Sequence, residues 1–459
     1  MTRVAYEFSG SLRVMSPLHV GSGDFGVRKA VAGKDGVNQA PEVALLVRDA
    51  SNRPYLPATS LKGLLRRLGA SCDATAGIDV DRLFGTSADG ERSKSRMGAV
   101  FLRGAVLEAA GDVASAPFVG RDVGGELGPG VFVAARTSID PDLGITRDAL
   151  LFFQEMVAPG AVFAFRAVVE RTGPQAPEQA ERAAREFAAV LRLLTVPEGI
   201  AIGKGQSDGF GRVRLDAARM TVARRAVDTE GNYSTRDTSV LWREIAVPPM
   251  RRDAAPVRRV RYALSCRGPF VVVDASRRAK RGERPEGDRT PHVRAQRLTS
   301  DLPLLMGTGV SGALRARAAW LAALMNLPIS PSGEEQIPPS GALERLFGVT
   351  GFRGLLTVAD LTVAEADTSA VTSVNLYRFS GAPVDNKLFT TEVFVGVRAG
   401  LTLELRRRGG VEPTADDVAL FDVLSNDFDP DGNDRPVLVD VSTASAPGAG
   451  DAPFTLSQY

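Results

Sequence analysis

Apolar and polar positions alternate from the start of the chain. In Tyr6-Glu-Phe-Ser-Gly-Ser-Leu-Arg-Val14 the apolar residues fall on one parity, which predicts a half-buried strand. A Pro-bounded segment follows, then a helix beginning at Thr59 or Ser60, whose hydroxyls suit the free amides of a first turn. Further strands are expected within Gly98–Leu107. A strand over Val162–Arg171 leads to a helix over Pro177–Leu194, and a Gly-rich loop ends in a strand at Gly211–Leu215.

The pattern then recurs. Pro54-Tyr-Leu-Pro-Ala-Thr-Ser-Leu-Lys-Gly-Leu-Leu-Arg66 is echoed 249 residues on by Pro303-Leu-Leu-Met-Gly-Thr-Gly-Val-Ser-Gly-Ala-Leu-Arg315. Arg82-Leu-Phe-Gly85 returns as Arg345-Leu-Phe-Gly348. Gly144-x3-Asp148-x2-Leu151-Phe152-x2-Glu155 returns as Gly381-x3-Asp385-x2-Leu388-Phe389-x2-Glu392. Three blocks in one order imply two copies of one domain, too long and too few for a solenoid. The expected fold class is α+β: two tandem ferredoxin-like, RNA-recognition-type domains with inserted loops. The expected boundaries are 1–225 for the first copy, 226–256 for a polar linker, 257–410 for the second copy and 411–459 for an acidic tail.

Composition narrows the chemistry. The 459 residues are 44% hydrophobic and 24% charged, an ordinary globular balance. No apolar stretch is long enough to span a membrane, and the N-terminus has no secretory signal pattern, so a cytoplasmic location is expected. Two cysteines, Cys72 and Cys266, exclude a disulfide framework and a cysteine-built zinc site. Only two histidines, His19 and His292, are present, so a metal site would rest on carboxylates and take a hard cation such as Mg²⁺. Net charge is +2, but basic residues cluster at Lys62–Arg67, Arg92–Arg103, Arg251–Arg261 and Arg277–Arg284. A locally basic surface on a balanced chain suits phosphate binding, and each run equally suits a solvated face.

Three segments are candidates for ligand contact. Ile202-Gly-Lys-Gly-Gln-Ser-Asp-Gly-Phe-Gly-Arg-Val213 is neither a P-loop nor a dinucleotide fingerprint, since no Gly-Lys-Ser/Thr closes it and it precedes a strand. It reads as a tight β-turn or as a phosphate cradle in which Gly203 and Gly205 allow close approach while Lys204 and Arg212 supply charge. The flanking cations favour the cradle. Lys62 and Arg66 lie four residues apart, with Lys62 expected in the first turn of its helix, where amides and dipole attract an anion. In the second copy Ser311 replaces the lysine while Arg315 remains. The third candidate runs from Arg136 to Glu155, with its echo from Asn375 to Glu392. Both read as protruding loops carrying Arg147, or Arg378 and Lys387, with Leu151, Phe152, Leu388 and Phe389 expected in the core.

Together with Pro17-Leu-His-Val-Gly-Ser-Gly23 and Arg136-Thr-Ser-Ile-Asp140, these motifs resemble the repeat-associated mysterious protein (RAMP) superfamily, and more narrowly the backbone subunit of type III CRISPR effector complexes. The resemblance covers roughly 1–217 and 257–408, as a tandem fusion of two such subunits. It implies a protein that grips guide RNA by its phosphates beside other subunits, and kinks the guide–target duplex with a thumb-like loop. In several family members an aspartate ahead of the Lys-Gly helix cuts target RNA with Mg²⁺. Asp288 in the second copy stands closest to the implied position, and Asp35 and Glu42 are the first copy's alternatives. The resemblance also places His19 near guide RNA. A purely structural RNA-binding role and a guide-processing ribonuclease are the competing readings. In the tail, Asp427-Phe-Asp-Pro-Asp-Gly432 begins like a Ca²⁺ loop, but Leu438 stands where the closing Glu belongs.

Overall fold

The structure is a computed structural model that describes residues 2–28, 42–86, 96–111, 113, 126–136, 152–251, 256–265, 268–271, 273–274, 294–295, 307–328, 330, 336–377, 379–426 and 439–440. The opening alternation becomes β1 (Arg3–Val14), which buries Val4, Tyr6, Phe8, Leu12 and Val14. Next come β2 (Gly21–Val27), β3 (Glu42–Leu46), β4 (Tyr55–Leu56), α1 (Ala58–Ala70) and α2 (Val80–Phe84). These are followed by β5 (Val100–Leu102), β6 (Ala105–Ala109), β7 (Val131–Arg136), β8 (Phe152–Val157), β9 (Val162–Thr172) and α3 (Ala176–Arg192). The half closes with β10 (Ile200–Ala201), β11 (Arg212–Leu215), β12 (Thr221–Val227), β13 (Tyr233–Asp237) and α4 (Ser239–Glu244).

In the main sheet β11 pairs β1, β1 pairs β9 and β9 pairs β6, all antiparallel. Helix α3 covers β1 and β9 because Ala180, Ala183, Ala184, Phe187 and Leu191 recur on one helical face. Phe187 meets Phe8 edge to face at 5.2 Å. Helix α1 starts at Ala58 behind Pro57, with no side-chain cap, so it begins earlier than the hydroxyls of Thr59 and Ser60 suggested. Residues 226–244, part of the expected linker, instead complete a hairpin against β1 that begins at Thr221, and seat α4 with Trp242 buried.

The second half contains β14 (Arg258–Ser265), β15 (Val273–Asp274), β16 (Arg294–Ala295), α5 (Gly307–Leu324) and α6 (Ala342–Phe347). It ends with β17 (Leu356–Leu376), β18 (Pro383–Leu405), α7 (Ala415–Asn426) and β19 (Val439–Asp440). Its sheet runs β17-β18-β14-β19, antiparallel throughout. In sequence terms both sheets place the fourth core strand beside the first, then the third, then the second. That is the ferredoxin-like order, reached twice with a helix between strands one and two and another between three and four. The region expected as an acidic tail thus supplies a core helix and the fourth strand. Leu420, Phe421 and Leu424 of α7 are buried in the second core.

The repeated blocks repeat their contacts as well. Arg66 donates to the Gly85 carbonyl at 2.5 Å, and Arg315 to the Gly348 carbonyl at 3.1 Å. Glu155 accepts from the Leu46 amide at 2.9 Å, and Glu392 from the Ala295 amide at 3.1 Å. Arg82 pairs with Glu186 of α3, and Arg345 with Asp417 of α7 at 2.9 Å. Glycines end both Arg-Leu-Phe-Gly corners for one reason. A Cβ at Gly85 or Gly348 would strike the facing backbone around Gly98 or Gly354, and both sit at positive φ, +83° and +88°.

Candidate nucleic-acid interface

The Gly-rich loop of the first half folds back on the segment after β1. The Ile202 amide donates to the Gly211 carbonyl, Lys204 to His19 (2.9 Å), Phe210 to Gly205 and Gly211 to Pro17 (2.9 Å). The Arg212 amide donates to the Ser16 hydroxyl at 3.0 Å. Five amides of the loop are therefore already bonded within the fold, as in a tight turn, and are not open to a phosphate. Gly203 and Gly211 are required by close approach: a Cβ on either would collide with the carbonyl of His19 or Ile202, at φ of +81° and +73°. The loop offers its side chains instead. Lys204 is exposed and stands 5.9 Å above the Phe152 ring, whose face is partly open. A cation beside an aromatic face suits a phosphate and a stacked base. Arg136 lies opposite Phe152 in the β7–β8 register, so the topology brings these three positions together.

Beneath that surface is a buried charge cluster. Glu155 is fully buried and receives Arg28 at 2.7 Å and Arg48 at 3.0 Å, besides the Leu46 amide. Arg48 also donates to the carbonyls of Leu127 and Asn52. His19 is 4% exposed, and its Nδ1 meets the Glu155 carbonyl at 2.7 Å, which makes Nδ1 the protonated nitrogen. Burial holds its pKa below the ordinary histidine value, and nearby Lys204 pushes the same way against the Glu155 carbonyl and charge. Expected to face RNA, His19 is instead a neutral internal strut that holds the loop onto β8. Glu155 was legible only as the end of a repeated spacing; its anchoring role needs Arg28 and Arg48, which no motif marks.

The remaining expected residues scatter. Lys62 is the fifth residue of α1, a turn later than expected, and is exposed with no partner among the described residues. Arg66 is committed to Gly85 and to Asp81 at 2.6 Å, and Arg315 to Gly348, so both serve first to pin the corner that follows their helix. Arg212 donates to the Glu198 carbonyl at 3.0 Å. Gly205 precedes a short 3-10 turn whose Gln206 and Ser207 accept from Arg353 of the second half, at 3.1 and 3.0 Å. The loop is thus also the joint between the halves. Lys387 lies on β18, while Asp35, Asp288, Arg147 and Arg378 lie outside the described residues. Phe152 and Leu388, expected in the core, are exposed, and Leu151 lies outside the described residues. The protruding loop of the second half is the far end of the β17–β18 hairpin, whose turn carries a fully exposed Phe379.

Glu42 opens β3 as an exposed residue, and among the described residues no three His, Cys, Asp or Glu side chains converge. Of the three expected carboxylates only Glu42 is described; Asp35 and Asp288 lie outside the described residues.

Residues 11–214 match the model of the RAMP superfamily. No curated protein matches the chain. No helix among the described residues is long and apolar enough to cross a membrane.

Proposed function

We propose that this chain is a backbone subunit of a type III CRISPR RNA-guided effector complex, two RAMP domains fused in one polypeptide that hold guide RNA by its phosphates. The observation that carries the reading is the duplicated strand order, with the same arginine and carboxylate contacts repeated in each half, of which one half matches the superfamily. Lys204 beside Phe152 supplies cation and stacking face without reading base edges, which suits a protein that leaves sequence to base pairing. The β17–β18 arm, ending in exposed Tyr377 and Phe379, is the element suited to wedge into a guide–target duplex.

Target cleavage with Mg²⁺ is the second part of the proposal, assigned to the second half. Leu46 and Ala295 are equivalent through their glutamate contacts, and Asp288 lies seven positions before Ala295, where the first half has Gln39. RNA co-purifying with the full chain tests the first part: recurrent repeat–spacer guides support it, and random cellular RNA or none refutes it. Asp288→Ala tests the second: loss of one cut in matched target RNA supports it, and an unchanged fragment ladder refutes it.

A further inference from the structure

The two halves meet across a cleft of about 1260 Å³, lined by β10, β11 and the end of α1 on one side and by β14, β18 and the turn after β18 on the other. Eight arginines face it against two glutamates, Glu198 and Glu404. Glu404 is already taken by Arg259 at 2.7 Å and Arg406 at 2.6 Å. Arg67, Arg261 and Arg408 have no carboxylate partner among the described residues. Among the described residues Arg67 reaches only the Ala201 carbonyl, at 3.4 Å. Arg408 is the deepest: it donates to the Thr357 hydroxyl, and its Nε is buried without a partner. Burial, followed by repulsion from Arg353, Arg406 and Arg67, pushes its pKa down to about 9. Gathering like charges in a concave wall disfavours the empty cleft and focuses positive potential into it. The surplus comes from both halves, so only the assembled chain has it.

We propose that this cleft is a binding site for a chain of phosphates, gripped jointly by Arg67 of the first half and Arg261 and Arg408 of the second. Its volume exceeds the range of about 300–1,000 Å³ usual for small-ligand pockets, which suits a strand passing through. The inference rests on the RNA-binding reading for its physiological occupant, a single-stranded RNA, whereas free polyphosphate presents the same chemistry.

The test uses the full chain in phosphate-free buffer, with inorganic tripolyphosphate and a short oligouridylate as separate probes. Tripolyphosphate is expected to raise the unfolding midpoint and to compete with the RNA. Arg408→Gln and the exposed Arg261→Gln are each expected to weaken RNA binding roughly tenfold and to lower the salt slope by about one. Arg261→Gln keeps the test decisive if Arg408→Gln does not fold. Wild-type binding of RNA with unchanged affinity and slope in Arg261→Gln, and in Arg408→Gln where it folds, would overturn the cleft while leaving the RNA-binding reading intact. Tripolyphosphate binding that depends on these arginines, without RNA binding, would support the phosphate site and overturn the RNA-binding reading. Binding of neither probe overturns both.

Discussion

Replacing Glu155 by Gln removes one charge and almost no volume from the first half. The carboxylate is fully buried, and the two guanidiniums it neutralises, Arg28 and Arg48, are themselves only 18% and 12% exposed. Breaking a buried pair by removing one partner costs about 3–5 kcal/mol, because the remaining charge stays desolvated. Partial solvent access to both arginines argues for the lower end, about 3 kcal/mol. The amide nitrogen of Gln also turns a donor toward a donor. The chain has two tryptophans, Trp242 in the first half and Trp320 in the second, so Trp320→Phe leaves a reporter for the first half alone. For a unit of this size, with a urea slope of about 3 kcal/mol per molar, the midpoint should fall by about 1 M. The Lys204–Phe152 surface should loosen with it, since His19 and the Gly-rich loop hang on the same strand. An unchanged midpoint would refute the claim that this carboxylate anchors the site.

Arg345→Met and Asp417→Leu should each destabilise the second half by about 3–5 kcal/mol, while the double replacement recovers most of the loss, read by Trp320 fluorescence. Because the folded His19 is held below its unfolded value near 6.5, its stabilisation is present above that pH and lost as pH falls through the lowered value. Denaturation midpoints from pH 8 to pH 5 should therefore fall more steeply in the wild type than in His19→Gln. Gly203→Ala should cost about 2 kcal/mol more than Gly231→Ala, for the two share a positive φ but only the first has a backbone oxygen in the way; thermal melts compare them.

The parts legible in the sequence were those whose spacing alone encodes burial. Strand β1, strand β9 and helix α3 fall within a few residues of where alternation and helical periodicity put them, and Arg66 with Arg315, Arg82 with Arg345 and Glu155 with Glu392, one pair from each repeated block, make equivalent contacts in the two halves. Other parts depend on distant partners. The β12–β13 hairpin is polar because it is an exposed edge, held mainly by Val222, Leu241 and Trp242, so composition reads it as linker. Asp417 reads as part of an acidic tail until Arg345, 72 residues earlier, is seen to neutralise it. Likewise no local pattern reveals that the carbonyls of Pro17 and His19 cross the fold to occupy the amides of a loop near residue 205. The arginines of the cleft come from opposite halves, so no single run announces them.

The central claim is that two like domains in one chain hold RNA by its phosphates, and salt-dependent binding of single-stranded RNA tests it most directly. Oligonucleotides of equal length and unrelated sequence should bind the full chain with similar affinity. The logarithm of that affinity should fall with log salt at a slope of about −0.7 per phosphate contacted, several contacts in all. Binding that is flat in salt, or that discriminates sharply between sequences, would contradict the account.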